Sequence, residues 1–173
     1  SENIYMRPEA AAALEALFAG AAKDGLTLYA TSGYRSYSTQ KAIFERKLDR
    51  MSEKQANLSV AKPGYSEHQT GLAMDIEGET TKGTGLTEAF GESPEGIWAA
   101  KHCAEYGFII RYPKDKTKIT GYIYEPWHLR YVGREAAQEI TALDVTFEEY
   151  IAMVRSDRIQ WLQEETQYDD QNP

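Results

Sequence analysis

Hydrophobic residues recur at helical spacing near the start of the chain. The alanine-rich segment 8–23 begins with a proline, and Leu17 and Phe18 follow Leu14 within it at three and four positions. Proline is favoured in the first turn of a helix, so this segment predicts one helix with an apolar face. Residues 26–31 then alternate between two sets of side chains, which predicts a half-buried strand.

The same patterns divide the rest of the chain into helices and strands. We expect further helices over residues 38–51 (with Ser38 as the N-cap), 52–60, 93–106, 133–143 and 147–154, and further strands over residues 72–76, 108–112, 119–124 and 127–132. These helices and strands do not alternate regularly. The order therefore favours an α+β fold with a mainly antiparallel sheet packed against helices.

Length and composition indicate one domain. A chain of 173 residues, 42% hydrophobic and 27% charged, has the composition of a globular domain and suffices for a single core. We expect the domain to span residues 1–166 and the acidic tail at residues 167–173 to be disordered. Cys103 is the only cysteine, so no disulfide can form within the chain, and we expect Cys103 in the core.

Charge and hydropathy argue against two classes of partner. The net charge is −8, and the segment after Arg158 is acidic and has no basic residue. The remaining body is only mildly acidic and lacks the concentrated basic surface that nonspecific binding of nucleic acid needs. No apolar run approaches the roughly 20 residues that span a bilayer, so we expect no membrane span. We also expect a monomer, with any export signal or anchor outside this chain.

The first candidate for chemistry is the segment Ser-Glu-His-Gln-Thr-Gly-Leu-Ala-Met-Asp at residues 66–75. Side chains alternate along a strand, so Asp75 lies on the face opposite Met74 and Ile76. A carboxylate in that place is either solvated or lines a site. His68 lies seven residues before Asp75, and a histidine so near favours the interpretation that Asp75 lines a site.

A second histidine lies among aromatic and apolar residues. His128 occurs in Glu-Pro-Trp-His-Leu-Arg-Tyr at residues 125–131, so we expect it to be buried and to need a partner. A lone histidine in this setting is usually a hydrogen-bonded core residue. Together with His68 and Asp75, however, it supplies the imidazole and carboxylate ligands that zinc uses outside thiolate sites. Three protein ligands leave a fourth position for water, as catalytic zinc requires.

Glu125 and Arg35 are candidates for the remaining roles. Metal-assisted hydrolysis needs a base near the metal, and Glu125 lies three residues before His128. A regular strand would place these two on opposite faces, so we expect the strand to begin at Trp127, with Pro126 leaving Glu125 free to bend towards the metal. Arg35 follows a strand, where it could bind a carboxylate or an oxyanion; a surface arginine is the simpler alternative.

Three segments resemble the motifs of the metallopeptidase family of bacterial D-alanyl-D-alanine and L,D-carboxypeptidases, which includes the vancomycin-resistance enzymes. They are Ser-Gly-Tyr-Arg-Ser at residues 32–36, the segment 66–75, and Glu-Pro-Trp-His-Leu-Arg-Tyr-Val-Gly at residues 125–133. The resemblance implies a hedgehog/D,D-peptidase-like fold. It also implies removal of C-terminal D-alanine from peptidoglycan stem peptides, at the outer face or cell wall of a bacterium. A location in the cytoplasm stays open, because a single cysteine fits either compartment. Whether the scissile bond is D,D or L,D stays open.

The resemblance further implies a role for each motif residue. One zinc ion per chain would be bound by His68, Asp75 and His128. Glu125 would be the general base, and Arg35 would act on the carbonyl or terminal carboxylate of the substrate. The positions that line the family's pocket correspond to Gln40, Ser66 and Trp127.

Two other interpretations of the sequence compete with a zinc carboxypeptidase. Ser38-Thr39-Gln40-Lys41 matches the Ser-x-x-Lys pattern of serine-type D,D-peptidases, with Ser38 as nucleophile beside Lys41, but the Ser-Asp-Asn and Lys-Thr-Gly motifs are missing from the sequence. The other rival is a non-catalytic zinc-containing domain that binds cell wall, comparable to the hedgehog signalling domain. Glu125 argues against it, because a purely structural metal site needs no spare carboxylate.

Overall fold

A four-stranded antiparallel sheet organises the molecule. The computed structural model describes residues 4–160 and, as backbone alone, the last helix as far as Gln171. Within this part of the chain the strands are β1 Leu28–Ser32, β2 Ala73–Gly78, β3 Phe108–Tyr112 and β4 Glu125–Tyr131. Their order across the sheet is β1-β2-β4-β3, and every neighbouring pair is antiparallel. The predicted α+β fold is confirmed.

Helices surround this sheet. In chain order they are α1 Pro8–Lys23, α2 Tyr37–Leu48, α3 Glu53–Ala56, α4 Ala89–Glu92, α5 Pro94–His102, α6 Thr117–Thr120, α7 Arg134–Leu143 and α8 Phe147–Gln171. None of the helices in the described residues is both long and apolar enough to cross a bilayer. The domain limit at residue 166 and the disordered tail at residues 167–173 fall beyond the side chains that the structure describes, and they stay predictions.

The main core lies between α1, α5 and one face of the sheet. Leu17 of α1, Ile76 of β2 and Leu129 of β4 are completely buried there, and burial of each such side chain contributes about 1.5–3 kcal/mol. Met74 belongs to the same cluster. Because successive strand residues point to opposite faces, packing Met74 and Ile76 into this core turns Asp75 to the other face, as the sequence predicts.

A smaller cluster fastens the last two helices to the sheet. Its buried members are Ala104, Ile109, Ala137 and Ile140, and Phe147 and Tyr150 of α8 pack against them. The beginning of α8 is therefore held beside β3, whose neighbour in the sheet is β4.

The structure corrects the predicted N-cap of α2 and one of the predicted strands. The N-cap of α2 is Ser36 rather than Ser38, because the Ser36 hydroxyl accepts a hydrogen bond from the backbone N–H of Thr39 at 3.2 Å. The strand predicted over residues 119–124 is wrong. That segment contains the end of α6, and Gly121 terminates this short helix in the left-handed region at φ 79°.

Candidate metal centre and active site

Three buried side chains converge on the face of the sheet opposite the main core. Asp75 of β2 pairs in register with His128 of β4, and a 3₁₀ turn, Glu67–Thr70, carries His68 just before β2. Gly71 at φ 72° lets the chain leave this turn. The exposed fractions of the three residues are only 3–4%, and their ligand atoms all lie within 4.8 Å of one another.

Asp75 lies between the two imidazoles. His128 Nδ1 is 2.8 Å from Asp75 Oδ1, and His68 Nε2 is 3.2 Å from Asp75 Oδ2. A tetrahedral zinc ion with bonds of about 2.0–2.1 Å keeps its ligand atoms about 3.4 Å apart, so small shifts would suffice to admit it. Two imidazole nitrogens and one carboxylate therefore fit zinc in donor type and in spacing.

The second nitrogen of each imidazole has its own contact. His68 Nδ1 lies 2.8 Å from the carbonyl oxygen of Gly33, which can only accept, so Nδ1 carries the proton and Nε2 faces Asp75. His128 Nε2 faces Glu67 Oε2 at 3.7 Å. Contacts of this kind orient metal-binding histidines, and here they turn one nitrogen of each ring towards the same point.

The point where the three side chains meet carries the negative charge of Asp75. Burial alone would raise the pKa of Asp75, but the charges and hydrogen bonds of His68 and His128 lower it well below its ordinary value. Burial lowers the pKa of His68, so its ring is neutral at pH 7. Burial also opposes the charged form of His128, yet its contacts with Asp75 and Glu67 raise its pKa to about 9. A metal ion that binds His128 therefore displaces a proton.

Glu125 lies on the same side of the sheet as His128, although the two are three positions apart in the sequence. The predicted strand start, two residues after Glu125, is wrong, since β4 begins at Glu125 itself. Leu129 pairs with Ile110, and Glu125 pairs with Tyr112. Between these two pairs β4 advances four positions while β3 advances only two, so β4 bulges. This bulge, rather than an early strand end, brings both side chains to the cavity.

Near neutral pH the Glu125 carboxyl group is present both as the charged carboxylate and as the protonated acid. Glu125 is 7% exposed. Burial raises its pKa to about 7, and the negative charge of Asp75 adds to the rise while His128 and Arg35 oppose it. A carboxyl group with this pKa can both take and give a proton near neutral pH.

All the site residues predicted from the sequence line a single cavity of about 310 Å³. They are Arg35, Gln40, Ser66, His68, Asp75, Glu125, Trp127 and His128. The volume is at the small end for a ligand site. The structure thus brings together residues that are up to 93 positions apart (35 to 128).

Arg35 is fixed in this cavity rather than solvated. Its Nε donates to Ser32 Oγ at 2.8 Å, its Nη2 donates to Asp75 Oδ2 at 2.6 Å, and its side chain is 19% exposed. The backbone N–H of Arg35 also donates to the carbonyl of His68 at 3.2 Å. The alternative of a surface arginine is therefore wrong.

Gln40 offers an acceptor to the same space. Its Nε2 donates to the carbonyl of Ala61 at 2.8 Å, and its buried Oε1 has no hydrogen-bond partner among residues 4–160. Two further residues of α2, Ile43 and Lys47, also line the cavity. Lys47 was not predicted from the sequence, although helical spacing from Gln40 could have indicated it.

Two aromatic residues that were not predicted from the sequence complete the wall of the cavity. The ring of Tyr112, at the end of β3, stacks on His128 with a centroid distance of 5.1 Å. Tyr122 lies against Tyr112 at 4.5 Å, and both line the cavity. Tyr112 covers one face of the His128 ring, which helps to exclude water from it.

Comparison with known proteins identifies the family. The family model described as VanY, D-alanyl-D-alanine carboxypeptidase, matches residues 3–134. The chain belongs to this family. The resemblance inferred from the three motifs is therefore confirmed, and the match also takes in the whole of α1, which the motifs do not cover.

The relatives in this family include both D-alanyl-D-alanine carboxypeptidases and L,D-carboxypeptidases. YodJ, a putative carboxypeptidase of Bacillus subtilis (strain 168), is 53% identical over 151 residues, which cover 87% of this chain and 55% of that protein. The solved structure of the LD-carboxypeptidase LdcB is 52% identical, with a TM-score of 0.82 over 88% of this chain and 72% of that one. The chain spans about half the length of YodJ and of two enterococcal relatives.

A third relative was solved with a metal ion. It is a variant of the vancomycin-resistance D,D-pentapeptidase VanY in complex with Zn(II). That structure is 38% identical to this chain, with a TM-score of 0.75 over 87% of this chain and 86% of that one.

The serine-type alternative finds no support in the geometry. Ser38 is exposed on the first turn of α2, where its hydroxyl contacts Ser36 Oγ at 2.9 Å. Lys41 Nζ lies 3.8 Å from Glu45, and its side chain is 57% exposed. Neither Ser38 nor Lys41 lines the cavity. Membership of the VanY family points the same way.

Proposed function

We propose that this chain is a zinc-dependent carboxypeptidase that removes the C-terminal D-alanine of peptidoglycan stem peptides. The observation that carries the proposal is the convergence of His68, Asp75 and His128 beside Glu125 in one cavity. The family's name supports the activity, and the Zn(II) bound by the VanY relative supports the choice of metal.

One zinc ion would be held by three atoms. They are His68 Nε2, a carboxylate oxygen of Asp75 and His128 Nδ1. When bound, zinc supplies a Lewis acid that polarises a carbonyl and lowers the pKa of water. Asp75 is buried and charged, and His68 is neutral, so both side chains are in the protonation state that binds a cation.

Glu125 would act as the general base. It takes a proton from water while the water oxygen attacks the carbonyl carbon of the last peptide bond. The C–N bond then breaks, and Glu125 passes the proton to the nitrogen of the departing D-alanine. A second protonatable residue is not needed, because the same carboxyl group accepts and returns the proton.

Arg35 and Gln40 would hold the substrate. The Arg35 guanidinium lies beside Asp75 and can bind the terminal carboxylate or stabilise negative charge that develops on the carbonyl oxygen. The free acceptor on Gln40 suits an amide N–H of the peptide. Ser66 and Trp127 would complete the pocket wall.

Of the two possible substrates, we favour the tetrapeptide with an L,D bond. Identity and structural similarity are higher to the LD-carboxypeptidase LdcB (52%, TM-score 0.82) than to the D,D-pentapeptidase VanY (38%, TM-score 0.75). Stem peptides lie outside the bacterial membrane. The proposal therefore includes action at the outer face or in the cell wall, by a monomeric domain.

Mass spectrometry of defined muropeptides tests this function. We expect the tetrapeptide to lose one alanine residue, and the pentapeptide to react at least about tenfold more slowly. A chelator should stop both reactions, and added zinc should restore them. Zinc-loaded protein that binds the peptides but cleaves neither would favour the non-catalytic wall-binding domain. Covalent labelling of Ser38 by a β-lactam would favour the serine-type alternative.

A further inference from the structure

A buried carboxylate outside the proposed ligand set lies behind His128. Glu67 Oε2 is 3.7 Å from His128 Nε2. Both atoms are buried, and neither has a hydrogen-bond partner within the described part of the chain. We propose that Glu67 is a positioning residue that accepts a hydrogen bond from His128 Nε2–H and thereby leaves Nδ1 free for the metal. The inference rests on the proposed zinc site.

The 3₁₀ turn Glu67–Thr70 carries His68 and also carries Glu67, which contacts His128. It sends His68 towards Asp75 and sends the adjacent Glu67 to the far side of the His128 ring. His128 is thus contacted at Nδ1 by Asp75 and at Nε2 by Glu67. A movement of about 1 Å would bring the Glu67 contact to hydrogen-bond length.

Two arginines hold the Glu67 carboxylate in place. Arg111 Nε and Arg130 Nη1 both reach Glu67 Oε1, at 2.7 and 2.9 Å. The Glu67 side chain is only 14% exposed, and a carboxylate so placed is stable as an anion only when it is paired. With Oε1 taken by the arginines, Oε2 is left for His128.

Glu148, in the first turn of α8, holds Arg111 in place. Arg111 Nη1 and Nη2 donate to the two carboxylate oxygens of Glu148 at 3.0 and 2.6 Å, a two-point pairing with strong directional preference. Glu148 lies beyond residues 3–134, the part of the chain that matches the family model. The contacts therefore run from α8 through Arg111 and Glu67 to His128.

The proton on His128 decides whether its Nδ1 can bind a metal. A neutral imidazole carries one proton, and Asp75 and Glu67 offer acceptors at opposite sides of the ring. A proton on Nδ1, shared with Asp75, would block coordination there. The Glu67 carboxylate favours the proton on Nε2 and so leaves the Nδ1 lone pair available.

Glu67→Gln separates this role from simple packing. Glutamine has nearly the same shape, but its amide can present N–H groups to His128 Nε2 and so favour the wrong tautomer. We expect zinc affinity to fall about 10- to 100-fold, by competition with a chromophoric chelator. Glu105→Gln is the matched control. Glu105 also contacts a histidine, at 2.8 Å from His102 Nδ1, but lies outside the cavity, and its loss should leave affinity within about twofold.

Nitrogen NMR of the histidine rings gives a readout that does not depend on a variant. The chain has three histidines, so the ring signals of the zinc-loaded wild type can be assigned by single substitutions. We expect a protonated Nε2 and a metal-bound Nδ1 on His128. The opposite assignment, or Glu67→Gln with wild-type zinc affinity, would overturn the role of Glu67. Wild-type protein that binds no zinc, or His68→Ala that binds it equally well, would overturn the zinc site itself.

Discussion

Arg35 Nη2 lies 2.6 Å from Asp75 Oδ2, an oxygen of the carboxylate that also contacts both histidines. The guanidinium is held at a second point by Ser32. This pairing joins the proposed substrate-binding cation to the proposed metal ligand. It also fixes the direction in which the remaining guanidinium N–H groups can point.

Replacing Arg35 by lysine should therefore damage catalysis more than metal binding. Lysine keeps the positive charge but cannot reproduce the planar, two-point arrangement between Ser32 and Asp75. We expect kcat/KM for D-alanine release to fall about 10²- to 10³-fold, with zinc affinity within about threefold of wild type. Arg46→Lys, at an exposed position on α2, is the control. Wild-type turnover by Arg35→Lys would remove Arg35 from the mechanism.

Substitution of Glu125 should separate catalysis from structure. Glu125→Gln keeps the shape of the side chain but cannot accept a proton from water. We expect kcat to fall about 10²- to 10⁴-fold while zinc content and the thermal unfolding midpoint stay near wild type. Glu45→Gln, an exposed change on α2, should leave kcat unaltered. The assignment of Glu125 as base is wrong if the glutamine variant turns over at the wild-type rate.

The single cysteine should be chemically inert in the folded protein. Cys103 is 2% exposed, and burial raises the pKa of its thiol to about 12, so almost no thiolate is present under mildly alkaline conditions. We expect a thiol-specific reagent to label Cys103 only after denaturant is added. Labelling of the native protein at the rate of a free thiol would show that this part of the core opens readily.

Glu95 should contribute stability that depends on pH. Its carboxylate accepts hydrogen bonds from the backbone N–H and the hydroxyl of Thr80, at 3.2 and 2.6 Å. Burial opposes the charge, but these bonds lower the pKa of Glu95 below its ordinary value of 4.5. The folded-state pKa is thus the lower one, so the stabilisation is complete above the ordinary value and is lost as the pH falls through the folded-state value.

Urea denaturation of Glu95→Gln at several pH values tests this sign. At pH 7 we expect a loss of about 1–2 kcal/mol in the free energy of unfolding, because a charged acceptor is replaced by a neutral one. The difference from wild type should shrink as the pH falls below the ordinary pKa of 4.5 and through the lower folded-state pKa of Glu95. Glu15→Gln, exposed on α1, should change little at either pH. A deficit that grows on acidification would show that the pKa of Glu95 is raised in the folded protein rather than lowered.

Most of the strands and the grouping of His68, Asp75 and His128 depend on local pattern, and these could be predicted from the sequence. Residues 108–112 are rich in aromatic and β-branched side chains, which favour strands, and they form β3 at the predicted bounds. His68, Asp75 and His128 stand out because histidines are few and the motif spacing is specific. The network behind His128 could not be predicted, because Glu67 meets Arg111 across 44 positions and no periodicity joins them. The bulge that turns Glu125 to the cavity depends on pairing with β3, which one strand cannot reveal.

Stepwise return of zinc to chelator-treated protein, with D-alanine release from the tetrapeptide as the readout, tests the central claim most directly. We predict no release without metal, and a rate that rises linearly and levels off at one zinc ion per chain. Undiminished release from protein shown by elemental analysis to be free of metal would contradict the assignment of His68, Asp75 and His128 as the ligands of a catalytic zinc ion.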